Sequence, residues 1–258
     1  MSKQKKEIIP PKGSKLFVDI GNSSLKSAYL KDDVWQHPHL AEMGLHNASD
    51  FTSWVNRNVD RLEMIIITSV VAEVTEALTN GIRTSRYRVL TAADIPRELL
   101  DYETPETLGL DRFLGCYGAV TQTRKSAVVI DAGSACTVDF MAADFLYRGG
   151  VIMPGLNIIE EACREKLPAL PSVERKKPDS WPGKSTKESL QWGITGSYVF
   201  AIKEMLRRYR ESFGAYNLVA TGGGAGEIAK LLRPLTEIKV RPSLVFDGMK
   251  EFMEDHLQ

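Results

Sequence analysis

The chain has 258 residues, 43% of them hydrophobic, and its 33 basic residues balance 33 acidic ones. That length predicts one large globular domain or two intimate ones, and the zero net charge gives no field that would recruit nucleic acid or an anionic membrane. Three cysteines, Cys116, Cys136 and Cys163, in odd number and without close spacing, predict reduced thiols in a cytoplasmic setting. No apolar run is long enough to span a bilayer, and the balanced charge points to a small-molecule partner.

Residues 1–14 begin basic and proline-rich and are predicted to form a mobile tail. Residues 16–19 and 25–30 read as strands of a hairpin, with Lys31-Asp32-Asp33 at the following turn. His37, His39 and His46 gather around Pro38, where an exposed loop is expected rather than a metal site. Phe51, Trp54 and Val55 have helical spacing within residues 50–58, and residues 64–67 form an apolar strand. Thr68 and Ser69 follow it as a polar pair placed to line a cleft. A helix over 73–80 stops at Gly81 and a strand covers 87–90, so strand and helix alternate and the strands should pair in parallel.

Asp111 and Arg112 stand where a loop meets a helix predicted over 112–122. Spacing alone favours a capping aspartate beside a solvated arginine. The same pair also suits a carboxylate that accepts a proton next to a guanidinium that holds an anion. Gly115, Gly118 and Ala119 give this helix a face for close packing.

The stretch from Lys125 to Phe140 carries an apolar run into Asp131-Ala132-Gly133-Ser134 and out into a second strand. It predicts a strand, a tight turn and a strand, with an acid, amides and hydroxyls at the bend. Residues 145–153 add a third strand, and Pro154-Gly155 turns into a helix over 156–166. Leu167-Pro168-Ala169-Leu170-Pro171 should be extended, and the basic 174–184 stretch should be a solvated loop. Ser185 and Glu188 make a capping box for a helix running to about residue 209. A strand over 217–220 delivers Thr221-Gly222-Gly223-Gly224-Ala225-Gly226 into a further helix, a turn whose amides can approach a phosphate or nucleobase. A short strand over 238–240 and a helix over 243–254 end the pattern.

Asp19-Ile20-Gly21-Asn22-Ser23-Ser24-Leu25-Lys26 repeats the device at Asp131, 131 − 19 = 112 residues earlier. The repeat predicts a duplicated α/β core, its halves at 15–124 and 125–258, with a nucleotide between them. Carboxylates cannot touch phosphate directly, so Asp19 and Asp131 make electrostatic sense with cations in between.

In these motifs the chain resembles the type III pantothenate kinases, of the actin, hexokinase and Hsp70 superfamily with its ribonuclease H-like core. The segment from Asp19 to Lys26 is similar to the family's first phosphate loop, with Ser23 where threonine is usual, and Asp131 to Asp139 to its second, with Ser134 where threonine is usual. Tyr102, Pro105 and Leu108-Gly109-Leu110-Asp111-Arg112 resemble the segment whose acid is the proton acceptor. Gly149-Gly150-Val151-Ile152-Met153-Pro154-Gly155, Leu167-Pro168 and Gly183-Lys184-Ser185-Thr186 match further family segments.

The resemblance implies ATP-dependent phosphorylation of pantothenate to 4'-phosphopantothenate, which opens coenzyme A biosynthesis. It implies Asp111 as proton acceptor, with Tyr102, Gly109, Leu110, Arg112 and Thr186 around the acceptor substrate, some of them across a homodimer interface. It places ATP on Asp19, Ile20, Gly21, Asn22, Ser23, Ser24, Leu25, Lys26 and Ser134. Asp19 would hold Mg²⁺ through water and Asp131 a K⁺ or NH₄⁺ ion. The alternatives are another small-molecule kinase and a non-catalytic transcription accessory protein on the same fold. Serine in place of threonine keeps the hydroxyl and removes the methyl that stiffens it. Ser134→Thr is therefore expected to tighten ATP binding in calorimetric titration; unchanged affinity counts against a weakened phosphate loop.

Overall fold

A computed structural model describes residues 8–42, 45–233 and 237–257, without the side chains of 39–42 and 45. Among these residues two five-stranded sheets share one plan. The first contains β1 (Ser14–Ile20), β2 (Ser24–Lys31), β3 (Val34–Glu42), β4 (Leu62–Ser69) and β5 (Tyr87–Leu90), in the order β3-β2-β1-β4-β5. The second contains β6 (Ala127–Ala132), β7 (Ala135–Met141), β8 (Tyr147–Pro154), β9 (Asn217–Thr221) and β10 (Lys239–Val240), in the order β10-β9-β6-β7-β8. In each, three antiparallel strands continue into two parallel ones, so the duplication inferred from the two Asp-x-Gly turns is a duplication of topology.

Two compact units can be separated. One comprises Met1–Arg97, Glu103–Leu114 and Val245–Gln258; the other comprises Glu98–Tyr102 and Gly115–Leu244.

In the first unit, alternate residues of β1 and β4 (Leu16, Val18, Ile20, Ile65, Ile67) form a core with α1 (Leu45–Asn58) and α2 (Ala72–Gly81), which contribute Phe51, Trp54, Val55, Val74 and Leu78. Asp32 and Asp33 close the β2–β3 hairpin with left-handed φ angles of 51° and 58°, which short acids tolerate. The predicted histidine loop is instead strand β3. It lies at the sheet's edge, where Pro38 interrupts no central ladder. His37 packs 5.7 Å from the Phe246 ring, and burial holds its imidazole below the ordinary range. His46 lies on α1, 3.6 Å from Asp50, and the His39 side chain lies outside the described residues.

Residues 1–7 of the predicted tail also lie outside the description, while Ile9 accepts a hydrogen bond from Tyr29 Oη at 3.3 Å and Gly13 N donates to Arg61 O at 2.8 Å.

The last helix, α8 (Leu244–His256), groups with the first unit, although chain order assigned residues 243–254 to the second half. Aromatic contact accounts for this placement. Trp35 of β3 lies 5.4 Å from Phe17 and 5.8 Å from Phe246, its Nε1 donates to Asp247 at 2.7 Å, and Phe113 meets Phe252 at 5.7 Å. Gly248 has no Cβ because the Leu114 carbonyl oxygen occupies that space.

In the second unit, α4 (Leu156–Lys166), α6 (Ser197–Phe213) and α7 (Ala225–Leu232) cover one sheet face, where Val128, Ile130, Val138 and Phe140 meet Leu156, Val199, Ile202 and Ile228. On the opposite face, Gly115 of α3 (Leu110–Thr123) lets that helix approach Val129, whose side chain lies 3.8 Å from the position of a Cβ. The long helix predicted from Ser185 is divided into α5 (Thr186–Gln191), a π-helical turn at Trp192–Gly196 and α6. The capping box is rearranged: Ser185 accepts from Glu188 N at 3.2 Å, but the Glu188 carboxylate takes the amide of Lys184 at 2.6 Å. Residues 167–170, expected to be extended, form a turn closed by Leu170 N to Leu167 O at 3.0 Å.

Gly248→Ala forces a side chain against the Leu114 backbone and is expected to lower stability by about 1–3 kcal/mol. Gly226→Ala, where nothing lies within 4 Å, should be neutral or slightly stabilising. Thermal unfolding of the two variants checks the difference.

Candidate active site

In the first unit, Asp19 stands near the carboxyl end of β1, in register with Lys26 on β2 and Thr68 on β4. Its side chain is 12% exposed, and Lys26 Nζ lies 4.0 Å from Oδ2. The turn that follows is closed by Gly21 N to Ser24 O at 3.0 Å, leaving Asn22 and Ser23 exposed. Ile20 and Leu25, both within the predicted nucleotide-binding stretch, bury their side chains in the core, so only their backbone groups are available to a ligand. Of the polar pair after the apolar strand, Thr68 is buried and Ser69 lines a cavity.

That cavity measures about 750 Å³, and Ser69, Thr75, Thr91, Thr107, Gly109 and Leu110 are among its walls. Asp111 is the second residue of α3, inside the first turn rather than at the cap. Its Oδ1 accepts from the amide of Arg112 at 2.9 Å, and Arg112 N also donates to Gly109 O at 3.1 Å. A Cβ at Gly109 would lie 2.7 Å from Asp111 Oδ1, so this glycine makes room for the carboxylate. The amino end of a helix favours negative charge, which suits both a carboxylate here and an anion beside it.

The second unit holds the other turn. Asp131 is the penultimate residue of β6, in register with Thr137 on β7 and Thr221 on β9. Three glycines fit against the turn. The carbonyls of Gly133 and Ser134 fill the Cβ space of Gly155, whose amide donates to Ser134 O at 2.6 Å. The Asp131 carboxylate fills that of Gly222, which has φ +84°, and Gly224 N donates to Ala132 O at 2.8 Å. The glycine-rich segment after β9 thus wraps the Asp131 turn. Thr137 lies opposite Asp131 in the ladder, and its Oγ1 is buried without a hydrogen-bond partner.

Tyr102 belongs to this unit, on a segment that joins the edge of β8 through a Leu100–Tyr147 bridge. Thr186 is exposed in the first turn of α5. The expected site residues therefore fall into two sets: Asp19 to Lys26 with Gly109 to Arg112 in one unit, and Tyr102, Asp131, Ser134 and Thr186 in the other.

Two features escaped the sequence reading. Arg175, in the stretch expected to be solvated, pairs with Glu160 and Glu227 at 2.6 Å each and contacts Asn157; the Glu160 hydrogen bond is the largest cause raising its pKa. Asp139, an acid inside the apolar strand β7, is 1% exposed and accepts from Tyr147 Oη at 2.8 Å. A lone acid in an apolar run was its only signal.

A family model described as type III pantothenate kinase matches residues 15–208. Among curated relatives, a type III pantothenate kinase from Sulfurihydrogenibium sp. is 29% identical over 229 residues, covering 84% of this chain and 91% of the relative. Among solved structures, a Campylobacter jejuni protein described as a Baf family transcriptional activator aligns with TM-score 0.63 and 24% identity, covering 93% and 98% of the two chains. An inorganic polyphosphate/ATP-glucomannokinase from Arthrobacter sp. aligns with TM-score 0.50 and 12% identity over 95% of this chain and 100% of its own. The structural likenesses establish a shared fold and nothing more.

Proposed function

The chain belongs to the type III pantothenate kinase family, and from that premise we infer that Asp111 is the base of its reaction. The protein transfers the γ-phosphoryl group of ATP to the primary hydroxyl of pantothenate, the opening step of coenzyme A biosynthesis. The observation that carries this reading is a single family match spanning residues 15–208, which takes in both phosphate turns and the Asp111–Arg112 pair. A regulatory role gains nothing from the Campylobacter likeness, which at 24% identity speaks for the fold alone.

In the proposed mechanism the hydroxyl oxygen of pantothenate forms a bond to the γ-phosphorus as the bond to the ADP oxygen breaks, and Asp111 accepts the hydroxyl proton. Arg112, beside it in the first turn of α3, holds the anionic end of the acceptor. Tyr102, Gly109, Leu110 and Thr186 complete the acceptor's contacts. Ser23, Lys26 and Ser134 donate to phosphate oxygens, while Ile20 and Leu25 contribute backbone only. In a loose transition state such positioning and charge neutralisation supply most of the acceleration.

Asp19, largely shielded from solvent and next to Lys26, would hold a magnesium ion through water, and that ion would supply charge neutralisation to the phosphates. For the monovalent ion the donor set also fits. Asp131 faces the ladder position of Thr137, whose buried Oγ1 lacks a partner, and oxygen donors of this kind replace the hydration shell of potassium. When bound at Asp131, K⁺ or NH₄⁺ would supply positive charge that offsets phosphate charge. A homodimer is proposed as well, supported by apolar side chains exposed on the second unit, including Ile152 on β8, Ile158 on α4 and Phe200 on α6.

Asp111→Asn is expected to fold and bind ATP normally while kcat falls about 10²–10⁴-fold in a coupled ADP-release assay. Turnover near the wild-type rate across the pH range removes Asp111 from the mechanism. Activity should be low in buffers whose only monovalent cation is Na⁺ and should recover on adding K⁺; equal rates in the two refute a required ion at Asp131.

A further inference from the structure

Tyr147 is fully buried at the start of β8, yet it makes two contacts to the segment that carries Tyr102 and a third to β7. Its carbonyl accepts from Asp101 N at 2.9 Å, its ring lies 5.9 Å from the Tyr102 ring, and its hydroxyl is anchored on Asp139 at 2.8 Å. The neighbouring residue reinforces the first of these, as Arg148 Nη1 donates to Asp101 Oδ2 at 2.7 Å.

Gly149 and Gly150 are shaped by the same cluster. Gly149 has φ +86°, and a Cβ there would touch the Tyr102 ring at 3.6 Å. At Gly150 the Cβ space is filled by the Asp139 carboxyl group. Gly150 thus makes room for the buried Asp139 carboxyl group, while Gly149, whose positive φ favours glycine, lies at ordinary contact distance from the Tyr102 ring. With residue exposures of 0% and 1%, Tyr147 and Asp139 cannot themselves touch a substrate. Tyr147 meets the Tyr102 ring directly, and Asp139 reaches it through the Tyr147 hydroxyl.

We propose that Asp139 and Tyr147 are positioning residues that fix Tyr102 for the acceptor substrate, with the Tyr147–Asp139 hydrogen bond setting the ring against which Tyr102 packs. This rests on Tyr102 as an acceptor contact. Removing the Tyr147 hydroxyl leaves the Asp139 carboxyl group buried without that donor and frees the ring to shift, which loosens Tyr102 and leaves the phosphate turns alone.

The test is steady-state kinetics on Tyr147→Phe, Tyr102→Ala, the double variant and Asp139→Asn. Tyr147→Phe is expected to raise the KM for pantothenate about tenfold with the KM for ATP unchanged, a split that general destabilisation would not produce. In the Tyr102→Ala background the same substitution should add nothing, because the residue it positions is gone. Asp139→Asn keeps an oxygen that can accept from Tyr147 and should stay within about twofold of wild type for both substrates. An unchanged pantothenate KM in Tyr147→Phe, or an undiminished effect of that substitution in the Tyr102→Ala background, overturns the positioning role. If Tyr102→Ala itself leaves the pantothenate KM unchanged, the assignment of Tyr102 fails first and the proposal falls with it.

Discussion

Atoms of the Asp131 to Ser134 turn, backbone carbonyls and the Asp131 carboxylate, occupy the places where side chains would begin at Gly155 and Gly222 and crowd that of Gly224, and much of the second unit depends on that fit. The three glycines come from two stretches far apart in the chain, the end of β8 and the segment after β9. Each reaches the turn by a close approach that any Cβ would push away. Asp131 and Ser134 are therefore held in place by the absence of atoms elsewhere. The cost is local: glycine gives up more chain entropy on ordering than other residues, which the sheet and helix contacts on either side offset.

The first unit solves the same problem differently. A Cβ at Gly21 would meet only Ser24 O at 3.7 Å, an ordinary contact, so no comparable glycine fit holds that turn. Instead Asp19 sits across the ladder from Lys26, and β4 is drawn on past Ile20 by a hydrogen bond from Val70 N at 3.0 Å. The same topology thus holds its two turns by different contacts. A partly shielded charge pair yields to an incoming ligand more readily than a packed backbone does, since its attraction is competed by solvent and ions.

Much of this was legible in the chain itself. Apolar runs ending in Asp-x-Gly announced both hairpins, and their repetition announced the duplicated core. The exact span of α4 followed from the Pro154-Gly155 turn before it and Leu167-Pro168 after it. Strand β3 was obscured because Pro38 and the histidines break the expected alternation, which an edge strand tolerates. The membership of α8 was hidden for another reason: an amphipathic pattern tells which face is buried, not which sheet buries it. Arg175 was misread because its partners, Glu160 and Glu227, are remote in sequence, and no local pattern marks an ion pair of that kind. Chemical roles were read through family resemblance, because spacing alone left Asp111 as a capping residue.

The bridge between Leu100 and Tyr147 has a meaning apart from substrate binding. Sheet edges invite other chains to add strands, and each edge here is blunted in its own way. β3 carries Pro38, β5 has 4 residues and β10 has 2, whereas β8 is 8 residues long and exposes Val151 and Ile152. By docking on the start of β8, residues 100–101 occupy backbone groups that a foreign strand would seek. The segment that carries Tyr102 thus also covers the first backbone groups of an otherwise open sheet edge.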